Sequence, residues 1–468
     1  MAESMIPVIA IVGRPNVGKS TLFNRLTRTR SALVADRPGI TRDRQYGFAE
    51  HAGRRFVVVD TGGLGEVPEG ADILATGIEE QSLRAVAEAD AIIWLVDGRA
   101  GLTTGDERLA DALRRSGKPL HVVVNKTENL DPALACAEFH ALGLGATAAI
   151  SATHGHGIAD MLDEILEGLP GSAGEAVEDT SGLPIAVIGR PNVGKSTLVN
   201  RMLGEDRMLT SDLPGTTRDS IAVPFTRRGR HYVLIDTAGI RRRGRVTDPV
   251  EKASVARSMQ AMDRARVVIA VLDGSEGVTE QDVSLLGLAA QSGKSLIIAI
   301  NKWDGLEPAQ RERVHGQVER RLAFVDYACV QYISALHGTG VGKLFDLLDA
   351  IGASQQTVVR PAALTRILED AVEQHAPPLV RGRRIKLRYA HIGGHDPLRI
   401  IIHGNQTEKV PESYRRYLST RFRERLELVG TPVVVEFKRG ENPYKGKKTA
   451  RKAGRKKAKR KVRTNRRR

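Results

Sequence analysis

A chain of 468 residues with 41% apolar side chains has room for about two to four packed domains and too much apolar content for a disordered one. No apolar run approaches the ~18 residues of a membrane span. Residues 1–7 carry no basic side chain ahead of the first apolar run, which argues against a secretory leader. The net charge of +16 is unevenly placed: residues 441–468 hold 15 Lys and Arg against one Glu, a net of +14, leaving +2 for the other 440. Cys136 and Cys329, the only cysteines, lack metal-ligand spacing and read as unpaired thiols of a reducing cytoplasm.

In chain order, the apolar run at residues 6–12 predicts a strand. It leads into Gly13-Arg14-Pro15-Asn16-Val17-Gly18-Lys19-Ser20-Thr21-Leu22, which fits the phosphate-loop pattern G-x-x-x-x-G-K-[ST] in its strand–turn–helix context. Gly13 and Gly18 let the backbone curl tightly, so that successive N–H groups form an anion nest backed by the dipole of the next helix. Lys19 supplies a cation for terminal phosphates, and Ser20 offers a hydroxyl to Mg²⁺. Residues 36–44 contain Pro-Gly-Ile-Thr-Arg-Asp, with Thr41 where a switch-loop Thr would bind Mg²⁺ in the presence of a γ-phosphate. A strand at residues 56–59 ends on Asp60-Thr61-Gly62-Gly63, whose Asp would orient Mg²⁺ and whose last Gly N–H would meet the γ-phosphate. Helices are predicted at 72–88 and 107–116 and buried strands at 91–96 and 120–124. That alternation implies a mostly parallel sheet with helices on both faces and ligands at the carboxyl ends of its strands.

The last of these strands runs into Asn125-Lys126-Thr127-Glu128. Guanine presents two adjacent donors, N1–H and N2–H₂, which a carboxylate matches; adenine has an acceptor at N1 and is repelled. Ser151-Ala152 follows another apolar strand and is placed to offer a backbone N–H to the guanine O6.

A linker rich in Gly, Ser, Ala and acids spans 170–182. The whole pattern then repeats: Lys195 follows Lys19 at an offset of 195 − 19 = 176, which also links Gly13 to Gly189, Thr41 to Thr217, Asp60 to Asp236 and Asn125 to Asn301. Ser334 follows Ser151 at 334 − 151 = 183, so the second copy gains seven residues late on. Gly189-Arg190-Pro191-Asn192-Val193-Gly194-Lys195-Ser196 is the second phosphate loop, after a strand at 185–188. Asp236-Thr237-Ala238-Gly239, Asn301-Lys302-Trp303-Asp304 and Ser334-Ala335 take the roles of their first-copy counterparts, with Lys19, Lys195, Thr41 and Thr217 as the catalytic set. After Asp236 comes the basic run Arg241-Arg242-Arg243-Gly244-Arg245, open to two readings: a solvated loop, or a switch that contacts RNA or a neighbouring domain in one nucleotide state.

Beyond the second copy, Leu364, Ile367, Leu368, Ala371 and Val372 have helical spacing. Ile385, Leu387 and Tyr389 alternate like a half-buried strand, and residues 398–402 make another. Pro411 opens a helix in which Tyr414, Tyr417, Leu418 and Phe422 share a face, and 433–437 forms a third strand. The tail cannot build a core and is expected to be disordered when free, a polycation suited to phosphate backbones.

Two copies of G-R-P-N-V-G-K-S-T, D-T-[GA]-G, N-K-x-[ED] and S-A, followed by a small α-β-β-α-β module, resemble the EngA family, also called Der: bacterial GTPases implicated in assembly of the large ribosomal subunit. The resemblance covers about residues 6–440. It implies GTP hydrolysis to GDP and phosphate, association with ribosomal RNA or subunit precursors, a cytoplasmic monomer without stable membrane insertion, and a KH-like third module. The expected layout is therefore a first G domain at 1–169, a linker at 170–182, a second G domain at 183–353, a KH-like α+β domain at 354–440 and a disordered basic tail at 441–468.

Three departures matter. Glu128 stands where the guanine-reading motif usually has Asp; one methylene moves the carboxylate by about 1.5 Å at most, and charge and both acceptors remain, so guanine binding is expected to survive. Leu64 and Ile240 stand where other GTPases place a water-orienting Gln. The resemblance implies K⁺ in compensation, held partly by Asn16 and Asn192; the alternative is that both Asn only shape their loops. The third module lacks the G-x-x-G clamp by which KH domains grip RNA; Gly393-Gly394 does not supply it, so the module is expected to dock on the G domains or bind RNA by another surface. Rival classes are a P-loop ATPase or helicase, against which the Asn-Lys-x-[ED] motifs argue, a membrane G protein, and a scaffold without turnover.

Overall fold

Short runs of Ile, Val and Leu without alternation are what a sheet covered on both faces requires, and the chain supplies them twice. The computed structural model describes residues 5–27, 45–61, 85–140, 142–145, 147–169, 182–204, 222–235, 255–355, 359–380, 383–395 and 397–439. Thr41, Gly62, Gly63, Leu64, Thr217, Asp236, Thr237, Ala238, Gly239, Ile240, the Arg241–Arg245 run, the 170–181 linker and the basic tail lie outside the described residues, as does nearly all of the helix expected at 72–88. The chain divides into two units: Met1–Thr357 with Leu428–Pro432, and Val358–Glu427 with Val433–Arg468.

In the first unit, the first repeat runs β1 (Val8–Val12), α1 (Lys19–Thr27), β2 (Gln45–His51), β3 (Arg54–Asp60), β4 (Ala91–Asp97), α2 (Thr104–Arg115), β5 (Leu120–Asn125), α3 (Pro132–His140), β6 (Thr147–Ala149) and α4 (Ile158–Glu167). Its sheet has the order β2-β3-β1-β4-β5-β6. Every pairing is parallel except β2 with β3. The register sets Ile11 beside Asp60 and Asp97 beside Asn125, so the chemically loaded residues gather at the carboxyl ends of neighbouring strands. All five β1 residues are buried, and Trp94 on β4 is completely so. The antiparallel edge strand β2 was not legible, since Gln45–His51 mixes polar and apolar residues without a period.

The second repeat follows suit with β7 (Leu183–Ile188), α5 (Lys195–Leu203), β8 (Ala222–Arg227), β9 (Arg230–Ile235), α6 (Val255–Arg264), β10 (Val267–Asp273), α7 (Glu280–Ser292), β11 (Ser295–Asn301), α8 (Pro308–Arg321), β12 (Cys329–Tyr332) and α9 (Val341–Gln355). Its order, β12-β11-β10-β7-β9-β8, is that of the first sheet read from the other edge. The two repeats share one apolar cluster that includes Phe48 and Val57 from the first and Met259 and Met262 from the second. Beside it Arg55 pairs with Asp263, and the buried Gln260 donates its amide to the Ile6 carbonyl at 2.9 Å.

The second unit contains α10 (Pro361–Gln374), a hairpin of β13 (Leu379–Val380) and β14 (Arg383–Arg384), then β15 (Lys386–His395), β16 (Leu398–Asn405), α11 (Glu412–Arg425) and β17 (Val433–Arg439). β15 and β16 are antiparallel, β16 and β17 parallel. The order is α-β-β-α-β, with the small hairpin as an addition. Pro361 opens α10, where its missing N–H costs nothing. One expectation is corrected here. Ile385 is 3% exposed, as a residue of an inward face should be, but Tyr389 is 47% exposed and Ala390 is fully buried. A register shift between Leu387 and Tyr389 inserts one extra residue into β15 and moves Tyr389 to Ile392 to the opposite face, until a second shift between Ile392 and Gly394 reverses the alternation again.

Candidate functional site

Among the described residues, the two repeats build their clefts from matching parts. Gly18 sits at φ 103° and Gly194 at φ 100°, conformations that carry a strain penalty for any side chain. A Cβ on either would collide with the amide nitrogen of Asn125 or Asn301. The phosphate loop is thus as tight as two left-handed glycines allow. Lys19 is 7% exposed; its Nζ donates to the carbonyls of Gly13 at 2.8 Å and Arg14 at 2.7 Å. Lys195 does the same with Gly189 at 2.7 Å and Arg190 at 2.6 Å. Burial pushes the Lys19 ammonium below its ordinary pKa, and the facing Asp60 only partly restores it. A desolvated cation held at the mouth of an N–H nest is complementary to a phosphate chain.

Ser20 Oγ donates to Asp60 Oδ2 at 2.8 Å, which brings a hydroxyl and a carboxylate from separate elements together. Thr61 returns its hydroxyl to the Ile11 carbonyl at 2.9 Å and fixes the end of β3.

Asn125 and Asn301 do something the sequence did not reveal. Asn125 Nδ2 donates to the Val17 carbonyl of the phosphate loop at 2.8 Å, and its Oδ1 accepts from the Ala152 N–H at 2.9 Å. Asn301 repeats both bonds, to Val193 at 2.8 Å and from Ala335 at 2.8 Å. Each Asn is a buried strut between the phosphate end and the base end of its cleft. The backbone donors expected for O6 are already engaged: the Ser151 N–H donates to His156 O at 3.1 Å, the Ser334 N–H to Thr339 O at 2.9 Å, and both Ala N–H groups to the Asn struts.

Lys126 and Lys302 stand at φ 67° and 61°, and their ammonium groups reach back to Asp97 and Asp273. Lys126 also donates to the Asn16 carbonyl at 2.7 Å, which ties the base motif to the phosphate loop a second time. Burial alone would raise Asp273, but the Lys302 and Ser275 hydrogen bonds hold it below the usual carboxylate range. Thr127 bonds the Ile150 carbonyl through its hydroxyl at 2.9 Å, and the Trp303 N–H bonds Ile333 O at 3.1 Å.

The two reading carboxylates are held ionised. Glu128 lies below its ordinary range because its own backbone N–H and the Ser151 hydroxyl bond it; Arg99 also pairs with it. Asp304 is lowered first by the Ser334 hydroxyl, with His337 Nε2 at 3.1 Å. An ionised carboxylate only accepts, which is what two adjacent N–H groups need.

A further layer escaped the sequence reading. Arg14 Nε donates to Asp106 Oδ1 at 2.7 Å, and Arg190 Nε to Asp282 Oδ1 at 2.8 Å. Those aspartates also close the capping boxes of α2 and α7 with Thr103 and Thr279, so a helix start braces each phosphate loop. Arg25 and Arg201, in the last turn of their helices, grip the Ala152 and Ala335 carbonyls. The signal was present: 282 − 106 and 279 − 103 are both 176.

Two family models match the chain. One, described as a 50S ribosome-binding GTPase, matches residues 8–126 and again 184–302; the other, the C-terminal KH-domain-like module of EngA bacterial GTPase enzymes, matches 359–438. The GTPase Der of Legionella pneumophila (strain Corby) is 54% identical over 445 residues, covering 95% of both chains. The chain belongs to the Der (EngA) family. GTPase Der of Marinobacter nauticus is 54% identical over 444 residues, 94% of this chain and 93% of that one. Among solved structures, Era in complex with MgGDPNP and nucleotides 1506–1542 of 16S ribosomal RNA is 29% identical over 36% of this chain and 58% of its own, with a TM-score of 0.30. As a Der GTPase, the protein binds guanine nucleotides and hydrolyses GTP, with two tandem G domains and a KH-like C-terminal domain. Among the described residues no helix is long and apolar enough to cross a membrane.

Proposed function

We propose that both clefts bind and hydrolyse GTP, and that the nucleotide state governs binding of this cytoplasmic, monomeric protein to the large ribosomal subunit through its rRNA. The observation that carries the reading is the doubled cleft itself, a tight N–H nest with a Lys held on two loop carbonyls at one end and an ionised carboxylate at the other, joined by one Asn strut. In each cleft the phosphate loop, Gly13 to Ser20 or Gly189 to Ser196, cradles the phosphates. Glu128 or Asp304 reads the base.

Mg²⁺ fits the first cleft, because Ser20 Oγ and Asp60 Oδ2 lie 2.8 Å apart and both are hard oxygens. Ser20, Asp60 and Thr41 would hold it, with Ser196, Asp236 and Thr217 as counterparts. Bound there, the ion neutralises charge on the terminal phosphates. Lys19 and Lys195 bind the same phosphates from the loop side and stabilise the charge that develops on them.

Leu64 and Ile240 cannot orient water, so a second cation is needed where an arginine finger would act. Asn16 and Asn192, exposed at left-handed φ of 65° and 66° beside the nest, would hold K⁺. GTP turnover is expected to be at least tenfold faster in KCl than in NaCl at equal ionic strength. Equal rates would remove K⁺ from the mechanism.

Co-sedimentation with large subunits in a GTP analogue and in GDP tests the switch; equal binding in both states defeats it. Deleting residues 441–468, with their 15 cations, is expected to flatten the salt dependence of that binding through lost counterion release. An unchanged slope would exclude the tail from the contact.

A further inference from the structure

The bulge in β15 has a chemical consequence. It turns Tyr389 onto the face of the three-stranded sheet opposite α10 and α11. On the inner face, Ala390 hydrogen-bonds Thr365 of α10 and is fully buried, with Ile400, Ile402, Leu418 and Phe422. On the outer face Tyr389 meets three-ring company. Its ring lies 4.5 Å from that of His403 with 7° between planes; His403 lies 5.1 Å from His391 at 24°, and Tyr389 and His391 are 6.2 Å apart at 25°. Tyr389 and His403 are direct cross-strand partners, and Lys438 is the next in register on β17. Arg399 shares this face; its acid, Glu436, is paired with it at 3.8 Å.

Two bland roles fail. A core function does not suit Tyr389, which is 47% exposed. A metal site needs imidazole nitrogens that converge on one point, whereas nearly parallel stacked rings keep theirs apart.

Building on the rRNA-binding reading above, we propose that this outer face is a stacking platform for unpaired bases of an RNA strand, and that it replaces the G-x-x-G clamp the domain lacks. Near-parallel rings on an open sheet present π-faces that any base can extend, while Lys438 and Arg399 meet the phosphates. Residues 441–468, which follow β17 in sequence, carry 15 cations, so the full chain is expected to have a base-independent affinity for any polyanion. The platform supplies what a polycation lacks, a contact that depends on bases being present and unstacked.

The test uses the full chain at ~0.15 M salt, with a short fluorescent oligoadenylate and the same strand made abasic. In Tyr389→Ala/His403→Ala, affinity for the oligoadenylate is expected to fall about ten- to hundredfold. Affinity for the abasic strand and the rate of GTP hydrolysis are expected to stay unchanged, and Tyr389→Phe is expected to bind like the parent. Equal affinity of parent and double-Ala variant overturns the platform, as does an equal loss on both strands, which marks charge or misfolding rather than stacking. Nucleotide-dependent subunit binding that persists through those results leaves the rRNA reading standing and the platform alone refuted. A parent chain that binds neither strand nor subunits refutes both.

Discussion

With Asp304 replaced by Asn, the second cleft is expected to take xanthine nucleotides in preference to guanine ones. Asp304 is held ionised by the Ser334 hydroxyl and by His337, so it offers two acceptors and no donor. Guanine answers with N1–H and N2–H₂. Asn keeps the shape and presents one acceptor and one N–H, which faces the guanine amino group donor to donor. Xanthine carries a carbonyl at that carbon, and the mismatch becomes a match. Hydrogen bonds to a charged partner contribute about 1.5–3 kcal/mol each, so losing the N2 bond outright and the charge assistance of the N1 bond weakens GDP by about 10²–10³-fold. Titration with fluorescent GDP and XDP measures this, and the untouched first cleft serves as an internal guanine control. Undiminished GDP binding at two sites per chain in Asp304→Asn would mean that the carboxylate does not read the base.

The second large effect is expected at the phosphate end. Lys19→Ala and Lys195→Ala should each stop hydrolysis in their own cleft, by about 10³-fold or more, and the double variant should release no phosphate above background. Both ammonium groups are already folded onto two loop carbonyls, so the protein holds them in place before any phosphate arrives. Lys19 is also desolvated, which strengthens its attraction for an anion. Arg is no substitute, since a planar five-donor fork does not fit a position tuned to a point cation between two carbonyls. Phosphate release by single and double variants apportions turnover between the clefts. Sustained turnover in the double variant would place the chemistry elsewhere.

The bracing around these groups explains why the loops can be so tight. Each phosphate loop is tied by Asn from one strand end and by Arg to a helix cap, and each base loop by an Arg from the helix that the phosphate loop begins. These ties make the cleft one piece, so phosphate and base contacts form without first ordering the chain. The symmetry is incomplete at the reading carboxylate: Arg99 pairs with Glu128, while the residue at the matching offset, Ser275, bonds Asp273 instead. The two clefts therefore differ in the charge around the base.

Sequence alone determined what is written in short range. The phosphate loops and the D-T-x-G and N-K-x-[ED] strand ends follow from residues a few positions apart, because each motif is one turn or one strand end, and their recurrence at offset 176 gives the duplication and the family. Tertiary structure alone decided how distant parts meet. The Asn125 strut joins residues 108 positions apart, and the Arg14–Asp106 brace joins residues 92 apart, contacts that exist only once parallel strands set their ends side by side. The outward turn of Tyr389 was also beyond reach of the sequence. Alternation assumes an unbroken period of two, and one inserted residue, invisible in composition, reverses the faces of the side chains that follow it, here as far as the second shift after Ile392.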